Sequence, residues 1–399
     1  MAADHKRYFW ILAAAFGATL LPVFALNLIL LNDTLGNSGK VRLASQWQQR
    51  TQGVTYAPTL SDTHLFKTLR LNDRLPEINA VVFGSSTAMG ITQQAFPDTL
   101  RIYNYAQSGH GLSASIGEAE YLQRHAPQVK WLVIPLDWAT GFVYQQVPVQ
   151  DADLSAAAAM AQAASPAQQA PLLARMRDAL SWPRVATLFE IFKSVLRADD
   201  KAVAFRGYFT QAGSGEYRCA DGTPAKDFDT VHRGTCTGFR HDGSATFANS
   251  SRVANAQARI PLSVSGGSQY RRHLVESRGV PSAHLLQRLA TLAERARANG
   301  GGVILFMPPL LPGMEAEFLR HRELAAYLQE TKRSLDAWSR EQNVAILDAG
   351  QAERYGCAAD EFIDEHHAAS TCYEKIFRSF WRDASRPDGT IDLPDGGLM

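Results

Sequence analysis

The chain has 399 residues, 46% of them hydrophobic and 20% charged, an ordinary globular composition with length for one large core or two smaller ones. Lysine and arginine together number 40 and aspartate and glutamate 39, a net charge of +1. That balance carries no electrostatic footprint for nucleic acid, so no nucleic-acid partner is expected.

The N-terminus stands apart from the rest. His5-Lys6-Arg7 precedes an apolar run from Tyr8 to Leu31, interrupted only by Gly17, Thr19, Pro22 and Asn27. About 20 apolar residues cross a bilayer as a helix. The basic flank places the N-terminus in the cytoplasm and exports the chain beyond Asn32. Residues 1–32 therefore read as an uncleaved signal-anchor in the cytoplasmic membrane. The rival reading is a cleaved signal peptide, but the run is long for one. Residues 33–77 read as a stalk and entry region, and 78–399 as the folded domain.

From Ile78 the texture changes. Ala80-Val81-Val82-Phe83 is a short apolar run ended by Gly84, as in a buried parallel strand. Arg101–Tyr105 is a second candidate strand. Ser113–His125 predicts a helix stopped by Pro127, and Trp131–Leu136 a third strand ending at Asp137. A long insertion occupies about 142–280. Within it, Ala156–Ala164 is alanine-rich, Ala170–Leu180 and Trp182–Leu196 predict helices, and 211–270 resembles an elaborated loop region. Alternation then resumes: a helix over Ala283–Ala298, a strand at Val303–Met307, a long helix within Glu315–Glu341, and a strand at Val344–Asp348. Strand–helix alternation predicts a mostly parallel sheet covered on both faces, a three-layer α/β/α sandwich. Such sheets place their sites at the carboxyl ends of their strands. Ser86, Gly109, Asp137 and Pro308 all come just after such ends.

Four cysteines fit an exported domain: Cys219, Cys236, Cys357 and Cys372. Three pairings are open, and sequence does not choose among them. A bridge between Cys357 and Cys372 would pin the segment Asp364-Glu365-His366-His367. No cysteine pair has close metal-ligand spacing, so no metal is expected.

Gly84-Ser85-Ser86 after a strand and a late Asp-x-x-His are the parts of a serine nucleophile, its base and the base's orienter. Ser85 is the alternative nucleophile and His366 the alternative base. Asp137, Trp138 and His110 are candidate site-lining residues. Each also has a plain reading: a strand-end cap, a packing indole and a polar loop contact.

These residues resemble the motifs of the SGNH (GDSL-type) hydrolase superfamily. Gly84-Ser85-Ser86 is similar to the first block, with Ser85 where aspartate is common. Asn104-Tyr105-Ala106-Gln107-Ser108-Gly109 resembles the second block, and Asp364-Glu365-His366-His367 the last. The resemblance covers about 78–140 and 283–380. It implies that Ser86 is the nucleophile, His367 the base and Asp364 its orienter. It also implies an oxyanion hole from the N–H groups of Ser86 and Gly109. One departure stands out. The third block normally supplies an asparagine to that hole, and here Leu136-Asp137-Trp138 occupies the place.

A single anchor before such a domain resembles the D-alanyl transfer protein of teichoic-acid systems and, less closely, subunits that O-acetylate exopolysaccharides. The resemblance implies an extracytoplasmic O-acyltransferase or esterase with no cofactor. Its substrate would be an acylated glycan or its acyl donor. A multi-spanning membrane acyltransferase is the expected partner if the group is transferred. The alternative is a catalytically silent glycan-binding or scaffolding subunit that keeps the fold.

Overall fold

The computed structural model describes residues 5–12, 14–18, 21, 45–46, 48–50, 52, 63–145, 238–246, 255–384, 391, 393 and 396–399. Its centre is a six-stranded sheet in the order β2-β1-β3-β6-β7-β8, and every pairing within it is parallel. The strands are β1 (Ala80–Val82), β2 (Ile102–Asn104), β3 (Trp131–Pro135), β6 (Gly302–Met307), β7 (Ala345–Asp348) and β8 (Gly397–Leu398). A separate antiparallel pair, β4 (Gly238–Phe239) and β5 (Ala245–Thr246), lies between them in sequence.

Strands β1 and β6, which read as unbroken apolar runs, are buried on both faces, as is β2 with its Asn104. Every residue of β1, β2 and β6 is buried, as parallel sheets covered by helices require. Helix α2 (Leu112–His125) packs against α5 (Ala283–Ala298). Arg288 of α5 fixes that contact by donating to both carboxylate oxygens of Glu120, at 3.2 and 3.0 Å. Two further helices, α3 (Ala256–Ser263) and α4 (Gln269–Ser277), precede α5. Helices α6 (Met314–Arg320), α7 (Arg322–Gln342) and α8 (Ser370–Ala384) come after it, and α7 packs on β7 and β8.

The chain leaves β1 for β2 on one side, then returns across to β3 on the other. The reversal makes a crevice at the carboxyl ends of β1 and β3, where open α/β sheets bind ligands. Ser86 lies just after β1 there and Asp137 just after β3.

Several elements depart from the sequence reading. Residues 63–74, assigned to the stalk, form α1 (Thr63–Arg74), which buries Phe66, Lys67, Arg70 and Leu71 completely. Within the region 211–270 read as loop, residues 256–263 form α3, and 269–270 begin α4. Helix α4 buries only Tyr270 and Leu274, so its stability comes from tertiary packing that a short polar segment does not advertise. The long helix expected within 315–341 is α7, and the shorter α6 before it is parted from it at His321, whose φ of −97° and ψ of 109° are extended. No proline or glycine marks the break. The helices expected at 170–180 and 182–196, the alanine-rich stretch 156–164, Cys219 and Cys236 lie outside the described residues.

No helix among the described residues is long and apolar enough to cross a membrane. Residues 5–12 and 14–18 are helical and expose Tyr8, Phe9, Trp10, Ile11, Leu12 and Phe16. Most of the remaining span, up to Leu31, lies outside the described residues.

Candidate active site

The Ser86 turn is set by what its neighbours exclude. Gly84 has φ +123°, and a Cβ there would lie 2.3 Å from Pro135 Cγ. Only glycine accepts both that backbone and that approach. The chain then turns into a 3-10 helix over Ser86–Ala88, capped by Ser85, whose Oγ accepts from Thr87 N at 3.3 Å. Thr87 Oγ1 donates to Asp137 Oδ2 at 3.0 Å and accepts from Ser85 Oγ at 2.7 Å. Ser85 is 3% exposed. Its hydroxyl is spent holding the turn, which leaves Ser86 as the serine presented to the crevice.

The Asp364–His367 loop is built differently. It belongs to no strand of the sheet. Phe362 and Ala368 form an isolated antiparallel bridge at its base. Ile363 N donates to His367 O at 2.9 Å, and Ala369 N to Glu361 O at 2.7 Å. Leu311 N donates to Glu365 O at 2.9 Å, tying the loop to the segment after β6. Cys357 and Cys372 are joined in a disulfide with Cα atoms 5.1 Å apart, one of the pairings the sequence left open. Tyr373, one residue past the bridge, donates its hydroxyl to Thr87 O and so links this segment directly to the Ser86 turn.

These two segments, 281 positions apart, bring three side chains into one hydrogen-bonded row. Ser86 Oγ lies 2.7 Å from His367 Nε2, and His367 Nδ1 lies 2.6 Å from Asp364 Oδ2. Asp364 Oδ1 accepts from the backbone N–H groups of His366 and His367, both at 2.9 Å. Burial would push the Asp364 carboxyl up, but the His367 hydrogen bond and the nearby imidazoles hold it well below the usual carboxylate range. An ionised Asp364 can only accept, which assigns the proton to Nδ1 and leaves Nε2 to accept from Ser86. The side chains of His367 and Asp364 are 20% and 28% exposed, so the row is open to a substrate.

His366 takes no part in that row. Its Nδ1 pairs with Tyr270 Oη at 2.7 Å, and its ring packs on His367 with centroids 4.2 Å apart. Burial and the neighbouring His367 push its pKa down. Asp364, His366 and His367 have donor atoms within 4.8 Å of one another, enough to hold a metal ion. Such an ion would compete with the Ser86, Asp364 and Tyr270 contacts that these atoms already make.

Gly109 sits at φ +72° in the loop after β2. Among the described residues, its N–H and that of Ser86 donate to no other group. Asn104 braces the two loops. Its side-chain amide donates to Ala88 O and Ile91 O, both at 2.8 Å, and its Oδ1 accepts from Ala106 N at 3.0 Å.

The remaining candidates occupy other roles. Asp137 is 2% exposed, and its second oxygen accepts from Thr140 N at 3.0 Å. It supports the Ser86 turn through Thr87. Trp138, a possible pocket wall from sequence, is 1% exposed and packs edge-on to Phe318, so it is a core residue. His110 turns inward, with Nε2 at 2.9 Å from Glu118 Oε2. Thr87, Tyr270 and Tyr373 carry no sequence signal, because their partners lie far away along the chain. A cavity lined by Trp131, Gly302 and Ala345 lies at the opposite, amino-terminal ends of the strands. Compared with protein-family models and with curated proteins, the chain gives no match to either.

Proposed function

We propose that the protein is a serine acyl-ester enzyme of SGNH type, an O-acyltransferase or esterase. We further propose that it works outside the cytoplasmic membrane on acyl groups of a cell-envelope or exopolysaccharide glycan. One observation carries the reading: the Ser86–His367–Asp364 row, at 2.7 and 2.6 Å, at the carboxyl ends of a parallel sheet. The order of the three motifs, the N–H groups of Ser86 and Gly109 that meet no acceptor among the described residues, and helices flanking the sheet as in an α/β/α sandwich support the family. The basic flank and apolar run at 8–31 support an anchor, and the Cys357–Cys372 bridge suits an oxidising compartment.

The chemistry is that of the row. Ser86 Oγ attacks the acyl carbonyl carbon while its proton passes to His367 Nε2. The carbonyl oxygen becomes an oxyanion facing the N–H groups of Ser86 and Gly109. Asp364 stays ionised and stabilises the imidazolium. Collapse of the adduct breaks the ester C–O bond, and the leaving alcohol takes the proton from Nε2. An acyl-Ser86 ester remains. A second hydroxyl, from water or a sugar, then gives its proton to His367 and attacks the acyl carbon, and Ser86 recovers its own proton. Water makes the protein an esterase; a glycan hydroxyl makes it a transferase, with a multi-spanning membrane acyltransferase as the partner that delivers the donor.

A second reading is favoured by Asp137: a silent glycan-binding or scaffolding subunit that lacks the third oxyanion donor. A fluorophosphonate probe separates the two. The enzyme reading expects labelling of the wild-type protein that disappears in Ser86→Ala. Folded wild-type protein that takes no label sinks it and leaves the scaffold.

A further inference from the structure

We propose that Lys67 and Glu118 are positioning residues that aim the oxyanion loop. The inference rests on the serine-enzyme reading and extends it to two buried charged residues that the proposed chemistry does not touch. The oxyanion loop runs from Asn104 at the end of β2 to His110. Among the described residues strand β2 is the edge of the six-stranded sheet, and no described strand pairs with its outward carbonyls. Lys67, on α1, meets them. Its Nζ donates to Asn104 O at 3.0 Å and to Ala106 O at 2.5 Å, with the Phe239 ring centroid 4.9 Å away.

The far end of the loop is gripped from the other side. Glu118, on α2, is fully buried. One of its oxygens lies 2.9 Å from His110 Nε2. The other lies 3.3 Å from His64 Nε2. His64 reaches Tyr105 Oη at 3.1 Å, which pairs with Thr68 Oγ1 at 2.6 Å, closing the network back onto α1. Ser108 and Gly109 are exposed between these two grips. A Cβ added at Gly109 would meet nothing within 4 Å, so no described residue packs against the glycine to hold it in place. Its aim must come from the anchored residues on either side.

Burying a lysine is costly unless its donors are used. Desolvation pushes Lys67 down to about 7, against the pull of Asp242 and Glu118. Even the neutral amine keeps two N–H donors for two carbonyls. An apolar side chain of similar length would fill the space and leave both carbonyls unmet. Lys67 and Glu118 are both 0% exposed, so neither can reach a substrate. Any effect they have on turnover must pass through the loop. Preorganised donors matter most where charge develops, so a misaimed Gly109 N–H should cost rate more than binding.

The test uses the whole chain and two variants, Lys67→Met and Glu118→Gln. Active sites are counted by the fluorophosphonate burst. The kcat and KM for a model acetyl ester are then expressed per titrated site. The affinity of phenylboronic acid, whose tetrahedral adduct on Ser86 needs the same oxyanion donors, is measured beside them. Expected is a fall in kcat of about 10- to 100-fold, with KM within about twofold and boronate affinity falling with kcat. Folded variants that lose thermal stability but keep kcat per site and boronate affinity overturn the inference, since that is what mere packing residues would do. If Lys67→Met does not fold, Glu118→Gln decides alone, because it keeps the side chain's shape. Wild-type protein that fails to label sinks the serine reading and this inference together. Wild-type labelling with unchanged variants sinks this inference only.

Discussion

The turn that carries Ser86 and the loop that carries Asp364 and His367 meet at one rim of the sheet, yet they are held by different means. The turn is an extension of the sheet. Strand β1 is buried on both faces, Gly84 is wedged against Pro135, and Asp137 at the next strand's end grips Thr87. The loop has no strand beneath it. It is held by a disulfide, an isolated bridge and scattered backbone hydrogen bonds, with Tyr373 as its tie to the turn. One half of the row is fixed by close packing, which yields little, and the other by cross-links, which can be cut one at a time. The position of Ser86 is therefore robust to solution conditions and fragile to added volume. The position of His367 is the reverse.

The largest effect should come from removing the proposed base. His367→Ala should lower kcat on a model acetyl ester by about 10⁴-fold or more, with the thermal transition little changed. Unchanged turnover would mean that another group deprotonates Ser86, and the contrast between turn and loop would lose its functional meaning. Asp364→Asn should cost about 10³- to 10⁴-fold, because the amide can donate to Nδ1 and favour the wrong imidazole tautomer. Next in size is Gly84→Ala. The added methyl must displace Pro135 and sit on a backbone with φ +123°, so a loss of about 1–3 kcal/mol or more in urea unfolding is expected. Fluorophosphonate labelling should fall with it. A variant with wild-type stability and labelling would show that the turn is not fixed by that wedge.

The parallel sheet was legible because its strands are buried on both faces and read as plain apolar runs, as at Val303–Met307. The three members of the row were legible as residue types at strand exits and in a short Asp-x-x-His. What the sequence hid has one physical character. Helix α1 carries Lys67 and Arg70 on its buried side, and charged residues in a helix read as solvent-facing. Strand β8 has only two residues, too few to show a period, whereas α8 does show one, with Cys372, Tyr373, Ile376, Phe377, Phe380 and Trp381 buried at helical spacing. Thr87, Tyr270, Tyr373 and Glu118 act through partners on other elements, and a linear reading has no access to those contacts. Asp137 was visible as a departure from the third block, but its partnership with Thr87 was not.

Smaller effects test the cross-linked half. Reducing the Cys357–Cys372 bridge, or replacing both residues by serine, frees a loop closed over a separation of 15 residues. Loss of such a closure costs about 3 kcal/mol. Labelling of Ser86 should slow even where the protein stays folded, because His367 loses part of its support. Labelling at the native rate in the folded, reduced protein would show that Tyr373 and the backbone bonds suffice without the bridge.

The gentlest test is acid. The Asp364 carboxyl is held below its ordinary value in the folded chain, so its contribution to stability is complete above the unfolded pKa, near 4. It is lost as pH falls below that toward the folded value, since the unfolded chain takes up the proton first. Urea midpoints tracked from pH 6 down to pH 3 should fall for the wild type, and fall less steeply for Asp364→Asn, which has no proton to gain at that site. Parallel curves for the two proteins would mean that Asp364 is not held ionised by His367 and the loop N–H groups. The cross-linked half would then lack the electrostatic anchor that keeps the imidazole's proton on Nδ1.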